Sequence, residues 1–146
     1  MLAKLAFAML LLFGTAALAQ AADEVDVYRS EGCDCCGKWA EHLKQSGFKV
    51  RVHNLSASRL GRIKTEAGVP EKYAACHTAK VGGYVVEGHV PAEDVKRLLK
   101  ERPAAIGLSV PGMPIGSPGM EVGDTKEPYE VLLLKRDGAA EVYAKH

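Results

Sequence analysis

The stretch that decides the fold is VDVYRSEGCDCCGKWAEHLKQSG, residues 25–47. Its first six residues, Val25 to Ser30, alternate in polarity and favour β-structure, so they predict a strand. The spacing then becomes helical, because Trp39 and Leu43 lie four residues apart on one face of a helix that begins at residue 36 or 37 and ends at Ser46. The sequence therefore predicts a strand that leads almost directly into a helix.

The elements that follow repeat the strand and helix once and then add a hairpin and a third helix. They are predicted as a strand over residues 48–55, a helix that ends before Gly68, a hairpin turned at Gly82-Gly83 within residues 76–90, and a helix from Pro91 that ends before Pro103. Strand, helix, strand and helix in succession indicate a parallel pair of strands. The order β-α-β-α-β-β-α predicts an α/β protein with a mixed sheet of the thioredoxin-like plan.

The last third of the chain combines a long loop with a hairpin. The segment IGLSVPGMPIGSPGMEVGDTKEP, residues 106–128, is rich in Gly and Pro and shows no helical or strand period, so it predicts a loop with a functional reason for its length. The tail YEVLLLKRDGAAEVY, residues 129–143, predicts a hairpin turned at Asp137-Gly138 that extends the sheet or covers its edge. We expect one domain over residues 23–146.

The amino-terminal residues have the pattern of a secretory signal peptide. Lys4 precedes an apolar run from Leu5 to Phe13, and small residues follow at Ala17-Leu18-Ala19. The alternative is a permanent membrane anchor, but no cation closes the far side of the run. We expect cleavage of residues 1–22 and a periplasmic location.

Charge and hydropathy exclude two classes of partner. Removing residues 1–22 takes away Lys4 and no acidic residue, so the 19 Lys and Arg residues become 18 against 18 Asp and Glu residues. A balanced charge indicates neither nucleic acid nor an anionic membrane surface as partner. No later run is apolar enough to predict a membrane span.

Three of the four cysteines lie at the predicted amino terminus of the first helix. Cys33 and Cys36 have C-x-x-C spacing, and Cys35 lies between them. A helix amino terminus favours thiolate over thiol, which suits both disulfide exchange and soft metal ions. The third thiol argues against a simple redox pair, because it invites scrambling, and neighbouring side chains reach the ions of a cluster more easily than one ion. Thiolates that bridge Cu(I) satisfy this arrangement.

Further ligands are predicted outside this cluster. Cys76 supplies a fourth sulfur if the third strand runs beside the helix mouth, although it is alternatively a buried small side chain or half of a structural disulfide. His77 is a weaker candidate, because neighbours on a strand point to opposite faces. Met113 and Met120 either contact copper or form an apolar lid over the sulfurs. The other histidines are expected to be solvated, or mobile at the terminus: His42, His53, His89 and His146.

Four blocks of sequence, GCDCCGKW, VPEKYAACHT, EGHVP and GLSVPGMPIGSPGME, resemble the CopG family of periplasmic copper-resistance proteins. The resemblance implies a thioredoxin-like fold, a multinuclear Cu(I) cluster bridged by cysteines, and a role in copper tolerance beside other export and oxidation proteins. The motif carries over to Cys33, Cys35 and Cys36, and the later cysteine to Cys76. Met113 and Met120 fall in the PGMPxGSPGM block.

Two other functions remain open from the residues. A thiol-disulfide oxidoreductase would use Cys33 as nucleophile and Cys36 as resolving thiol. A hybrid that changes the oxidation state of copper is compatible with the same thiols. A structural zinc module is disfavoured, because about 125 residues already suffice for an ordinary core.

Overall fold

The computed structural model describes residues 23–146. The signal peptide predicted for residues 1–22 lies outside this range. Within it, every helix is too short or too polar to cross a bilayer.

Over residues 23–146 the protein has a mixed α/β fold with one seven-stranded sheet and three α-helices. The strands are β1 (Glu24–Ser30), β2 (Lys49–Leu55), β3 (Thr78–Val81), β4 (Tyr84–Glu87), β5 (Gly107–Ser109), β6 (Glu130–Leu134) and β7 (Ala140–Lys145). The helices are α1 (Asp34–Gln45), α2 (Ala57–Glu66) and α3 (Ala92–Glu101). From β1 to α3 the strands and α-helices follow one another as β-α-β-α-β-β-α, with a short 3-10 helix, Glu71–Tyr73, between α2 and β3.

The sheet order is β2-β1-β3-β4-β5-β6-β7. β1 pairs parallel with β2 and antiparallel with β3, so the strand that leads into α1 lies beside the strand that follows Cys76. The register pairs Tyr28 of β1 with Thr78 of β3. Strand pairing across 50 residues of sequence thus brings the end of β1 next to the start of β3.

The core is built from apolar positions with the expected periods. Trp39 and Leu43 are fully buried on one face of α1, and Val95 and Leu98 are buried on α3. Burying an aliphatic or aromatic side chain of this size contributes about 1.5–3 kcal/mol. β2 is an edge strand and is mostly exposed, as its alternating charged residues require.

The prediction of a continuous loop over residues 106–128 is wrong at its start, where β5 forms. β5 pairs parallel with β4 and antiparallel with β6, so it joins the C-terminal hairpin to the sheet. Three residues are too few to display an alternating pattern, and Gly107 has no β-propensity. A side chain at Gly107 would collide with the backbone of Val85, so glycine permits the close strand approach.

The rest of the loop is held by its own backbone. Gly116 N–H donates to Met120 O at 2.9 Å, Met120 N–H donates to Ser117 O at 2.8 Å, and Glu127 N–H donates to Ile115 O at 2.8 Å. These turns give a segment without helix or strand a defined course. The hairpin predicted for residues 129–143 is present as β6 and β7.

Candidate metal centre

The amino terminus of α1 places the cysteines in one tight turn. α1 begins at Asp34, earlier than predicted, and Cys33 is its N-cap residue in an extended conformation. The Arg29 guanidinium donates to Cys33 O at 2.8 Å and to Asn54 Oδ1 at 2.9 Å, which ties the turn to β1 and β2. Cys35 and Cys36 therefore lie in the first turn of the helix, where backbone N–H groups are unpaired.

The structure brings the four sulfur atoms together. Cys33 and Cys36 are joined by a disulfide bond, and Cys35 and Cys76 are free. The Sγ atoms of Cys33 and Cys35 are 3.6 Å apart. All four Sγ atoms lie within 4.8 Å of one another, so the predicted approach of Cys76 to the helix mouth is observed.

Cys76 and His77 face the same cluster, and the expectation that they point to opposite faces is wrong. Their Sγ and Nδ1 atoms are 3.3 Å apart. β3 begins only at Thr78, so the alternation of a strand does not apply to these two residues. The His77 ring is fully buried and packs on Trp39, with ring centroids 4.4 Å apart.

His89 is the ligand candidate that sequence reasoning missed. It was expected to be solvated, but it is fully buried, because the turn after β4 folds under the Gly-Pro-rich loop. Its Nε2 lies 3.1 Å from Cys76 Sγ, and its Nδ1 lies 2.8 Å from Pro118 O. Cys76, His77 and His89 thus form a second group of potential ligand atoms, all within 4.8 Å of one another.

Burial keeps this second group uncharged. Desolvation, followed by the neighbouring Cys35, raises the pKa of the Cys76 thiol to about 12. Desolvation lowers the pKa of His77 well below its usual range, and the nearby His89 and Lys64 act in the same direction. The pKa of His89 is also lowered by burial. Neutral imidazoles are the form that binds metal ions, and a bound ion would displace the thiol proton.

A buried charge cluster holds the segment that carries Cys76. The Glu87 carboxylate, fully buried, accepts from Lys64 Nζ, from Thr78 Oγ1 at 2.6 Å and from Ala75 N–H at 2.7 Å. Ala75 and Thr78 flank the Cys76-His77 pair, so one carboxylate fixes both ends of it. Burial raises the pKa of Glu87, against the opposing effects of Lys64 and the hydrogen bonds. The signal in the sequence was a lone acid at the end of the apolar strand YVVE.

The Gly-Pro-rich loop crosses the helix mouth. A Cβ on Gly119 would lie 2.7 Å from Cys35 O and 2.9 Å from Trp39 N, so the loop backbone packs directly on α1. Gly119 has a φ of +87°, which also favours glycine. Met120 follows it and is partly buried, whereas the Met113 side chain is 52% exposed.

The remaining histidines have structural contacts outside the cluster. His42 Nε2 accepts from Ala92 N–H at 3.1 Å, which links α1 to the start of α3. His53 pairs with Asp26 at 2.8 Å. His146, expected to be mobile, bonds to Asp94 at 2.7 Å and pairs through its backbone with Tyr129.

Two solved structures are similar to the chain over most of its length. One, described as "Copper resistance protein copG- Form 2", is 44% identical, covers 86% of this chain and 98% of its own, and superposes with a TM-score of 0.79. The other, "Copper resistance protein copG- Form 1", is 45% identical, covers 84% and 96%, and also has a TM-score of 0.79. The chain belongs to the CopG family of copper resistance proteins.

The CopG resemblance predicted from four sequence blocks is therefore confirmed. A family described as "Protein of unknown function, DUF411" also matches residues 73–120, the part that contains Cys76, both buried histidines of the cluster and the loop methionines. No curated protein matches the sequence. Membership of the CopG family supports a copper-related role for the cysteine and histidine groups.

Proposed function

We propose that the protein binds Cu(I) through Cys33, Cys35, Cys36 and Cys76, as a multinuclear cluster bridged by cysteine sulfur, and that it serves copper resistance by sequestering, relaying or changing the redox state of the ion. The observation that carries the proposal is the convergence of four sulfur atoms within 4.8 Å in a CopG-family chain. Thiolates select soft Cu(I) and readily bridge two ions.

The cluster requires the reduced protein. Cys33 and Cys36 bind copper as thiolates, so their disulfide bond must first accept two electrons from a dithiol or another thiol reductant, which is itself oxidised to a disulfide. Cys35 and Cys36 are neighbours in a helix, where successive side chains diverge by about 100°. Such a pair fits different ions of one cluster better than a single tetrahedral ion.

The setting proposed for this chemistry is the periplasm. The signal-like residues 1–22 support export, and we propose that β1 to α3 form a thioredoxin-like unit that presents the cysteines at the α1 amino terminus. Other periplasmic copper export or oxidation proteins are the proposed partners. Met113, Met120 and His77 are proposed as additional ligands.

The direct test is an anaerobic Cu(I) titration of the reduced protein, followed by X-ray absorption spectroscopy. We expect several copper ions with sulfur neighbours and a short copper to copper distance. Cys35→Ser and Cys76→Ser should each lower the capacity, whereas His53→Gln, which changes a histidine outside the cluster, should not. Zero stoichiometry, easily stripped copper or an unchanged capacity in Cys35→Ser would contradict the proposal.

A second candidate function is thiol-disulfide oxidoreductase activity, which the Cys33–Cys36 disulfide favours. Cys33 is partly exposed at the N-cap and Cys36 is fully buried, so Cys33 is suited to attack a substrate disulfide and Cys36 to resolve the mixed disulfide. Reduction of a disulfide substrate should then survive Cys35→Ser and be lost in Cys33→Ser. Loss of turnover in both variants, or in neither, would reject this function.

A further inference from the structure

Three cations surround a pocket at the end of the sheet opposite the cysteines. Its volume is about 630 Å³, within the range of small-molecule sites, and its lining residues are Asp23, Gly82, Lys96, Leu99, Lys100 and Arg102. Gly82 follows β3, whose last residue, Val81, pairs with Val25 near the start of β1. The seven residues of β1 then run toward Cys33, so the length of that strand, ~20 Å, separates the pocket from the cysteines.

We propose that this pocket binds a phosphate group, either of a soluble phosphate ester or of a phospholipid headgroup. It shares no residue with the proposed Cu(I) cluster, so the two sites are tested separately. The lining contains three basic residues and one acid, Asp23. The balance of charge over the whole chain therefore hides a local excess of positive charge.

The protein itself does not neutralise these cations. In the described part of the chain, no carboxylate oxygen lies within 4.0 Å of a side-chain nitrogen of Lys96, Lys100 or Arg102. Arg97 of the same helix, by contrast, pairs with Glu101 at 3.5 Å. Lys96 and Lys100 are one turn apart on α3, where like charges repel. The helix dipole favours a cation in the last turn, as at Lys100, but Lys96 lies in the middle of the helix. A bound anion would remove the repulsion.

Arg102 is held in place at a cost in backbone conformation. It is the C-cap residue of α3 and has a φ of 51°, the one positive value at a non-glycine residue of the described chain. Glycine or asparagine is favoured at such a position. Its Nη1 donates to Gly82 O at 2.6 Å, and its guanidinium carbon lies 4.9 Å from the centre of the Tyr84 ring. The hydrogen bond uses one of the five N–H donors, so the fixed guanidinium keeps donors for a ligand.

The donors select phosphate over other small ligands. The planar guanidinium of Arg102 can donate two parallel hydrogen bonds to the oxygens of one phosphate, and the ammonium groups of Lys96 and Lys100 add charge. Lys96 Nζ lies 5.9 Å from the centre of the Phe48 ring, which orients the cation and supplies no negative charge. A phosphate ester carries close to two negative charges at neutral pH, and neighbouring headgroups supply the same charge at a lipid surface.

The test is a nuclear magnetic resonance titration of the disulfide form with inorganic phosphate at low salt. We expect saturable shifts of the backbone amides of Gly82, Lys100 and Arg102, and no comparable shifts at Cys35 or Cys76. A second arm measures sedimentation of the protein with vesicles of phosphatidylglycerol and phosphatidylcholine, and with vesicles of phosphatidylcholine alone. Binding in the first arm only assigns the site to soluble phosphate esters, whereas binding to the anionic vesicles assigns it to headgroups.

Substitutions separate a built site from general charge attraction. Lys96→Gln and Lys100→Gln should each weaken phosphate or vesicle binding by about threefold. Arg102→Lys should weaken it by a similar factor although the charge is kept, because lysine lacks the planar pair of donors. Asp23→Asn should tighten binding, since it removes the acid of the pocket. Lys38→Gln is the matched control, because it removes the same charge from an exposed lysine of α1, and it should bind like the wild type.

The proposal is overturned if neither phosphate nor anionic vesicles bind, if Lys38→Gln weakens binding as much as Lys96→Gln does, or if Arg102→Lys binds like the wild type. The last two results would show attraction by net charge without a site. Amide spectra check the fold of each variant. Lys96 and Lys100 are exposed, so their replacement leaves the core intact.

Discussion

Two charge clusters in this protein use the same chemistry in opposite surroundings. The inner cluster consists of Glu87, Lys64 and Thr78, and it lies behind Cys76. The outer cluster consists of Asp26, Arg51, His53 and Glu24 on the exposed surface of β1 and β2. The side chain of Glu87 is 0% exposed and that of Lys64 is 16% exposed, whereas Arg51 in the outer cluster is 54% exposed.

The difference in burial decides what each cluster does. Water screens the outer pairs, so they join β1 to β2 at little gain in free energy. The inner pair is removed from water, and its carboxylate also accepts the Ala75 N–H, so it determines where the Cys76 segment lies. The buried cluster therefore constrains the position of a candidate metal ligand, Cys76, whereas the exposed cluster constrains no candidate ligand.

The largest effect is expected from removing the acid of the inner cluster. Glu87→Ala leaves Lys64 and the Ala75 N–H without their buried partner, so the free energy of unfolding should fall by about 3–5 kcal/mol. Urea denaturation measures this change. Glu24→Ala, which removes an acid from the outer cluster, should change the same quantity by less than about 0.5 kcal/mol. Equal effects of the two substitutions would show that burial does not distinguish the clusters.

The next largest effect is expected where the backbone of the Gly-Pro-rich loop packs on α1. Gly119→Ala introduces a Cβ against Cys35 O and Trp39 N and should destabilise the protein by about 1–3 kcal/mol more than Gly123→Ala. Gly123 is the control because it also has a positive φ, of 53°, but a Cβ there meets no atom within 4 Å. Urea denaturation of both variants gives the difference. Equal free energies of unfolding for the two variants would mean that the loop does not pack on the amino terminus of α1.

The hydroxyl of the inner cluster is expected to contribute less than the carboxylate of Glu87. Thr78→Val preserves the shape of the side chain but removes a buried hydrogen bond to Glu87, which should cost about 1–3 kcal/mol. Thr65→Val, on the exposed side of α2, should cost less than about 0.5 kcal/mol. Thermal and urea unfolding should agree on the ranking. If Thr78→Val left the free energy of unfolding unchanged, the hydroxyl would not contribute to the stability of the inner cluster.

The smallest effect concerns pH and the outer cluster. Hydrogen bonds from Arg51, then from His53, hold the pKa of Asp26 well below its usual range. The pKa of Asp26 is lower in the folded than in the unfolded protein, so ionised Asp26 stabilises the fold at neutral pH. This contribution is lost as the pH falls from about 5 toward 2. Asp26→Asn should therefore reduce the unfolding free energy by less than about 1 kcal/mol at neutral pH, and the difference from wild type should shrink in acid.

Urea titrations of Asp26→Asn and wild type at several pH values measure this difference. Added salt should also reduce it, because the groups are near the surface. A difference that grows in acid would contradict the assigned direction of the Asp26 pKa shift.

Local patterns predicted the elements well where a helix or strand is long enough to repeat its period. Trp39 and Leu43 identified α1, and Gly82-Gly83 identified the hairpin of β3 and β4. β5 was missed because three residues carry no period, and it forms only when β4 and β6 lie on either side of it.

The site was predicted in part. The crowding of Cys33, Cys35 and Cys36 is visible in the sequence, and the approach of Cys76 followed from the expected order of strands. His89 was misjudged because it follows a turn, where residues are usually exposed, and its burial depends on a loop about thirty residues farther along the chain.

The sequence by itself determined the periods of the main helices and strands, the cluster of three thiols at a strand-to-helix junction and the motifs of the CopG family. These features depend on neighbours in the chain. Only the tertiary structure decided that His77 and His89 converge on Cys76, and that Glu87 and Lys64 hold that segment in place. Apart from the contact between the neighbours Cys76 and His77, these contacts join residues 12 to 29 positions apart. Sequence spacing does not give the distance between side chains that meet only after the sheet has formed.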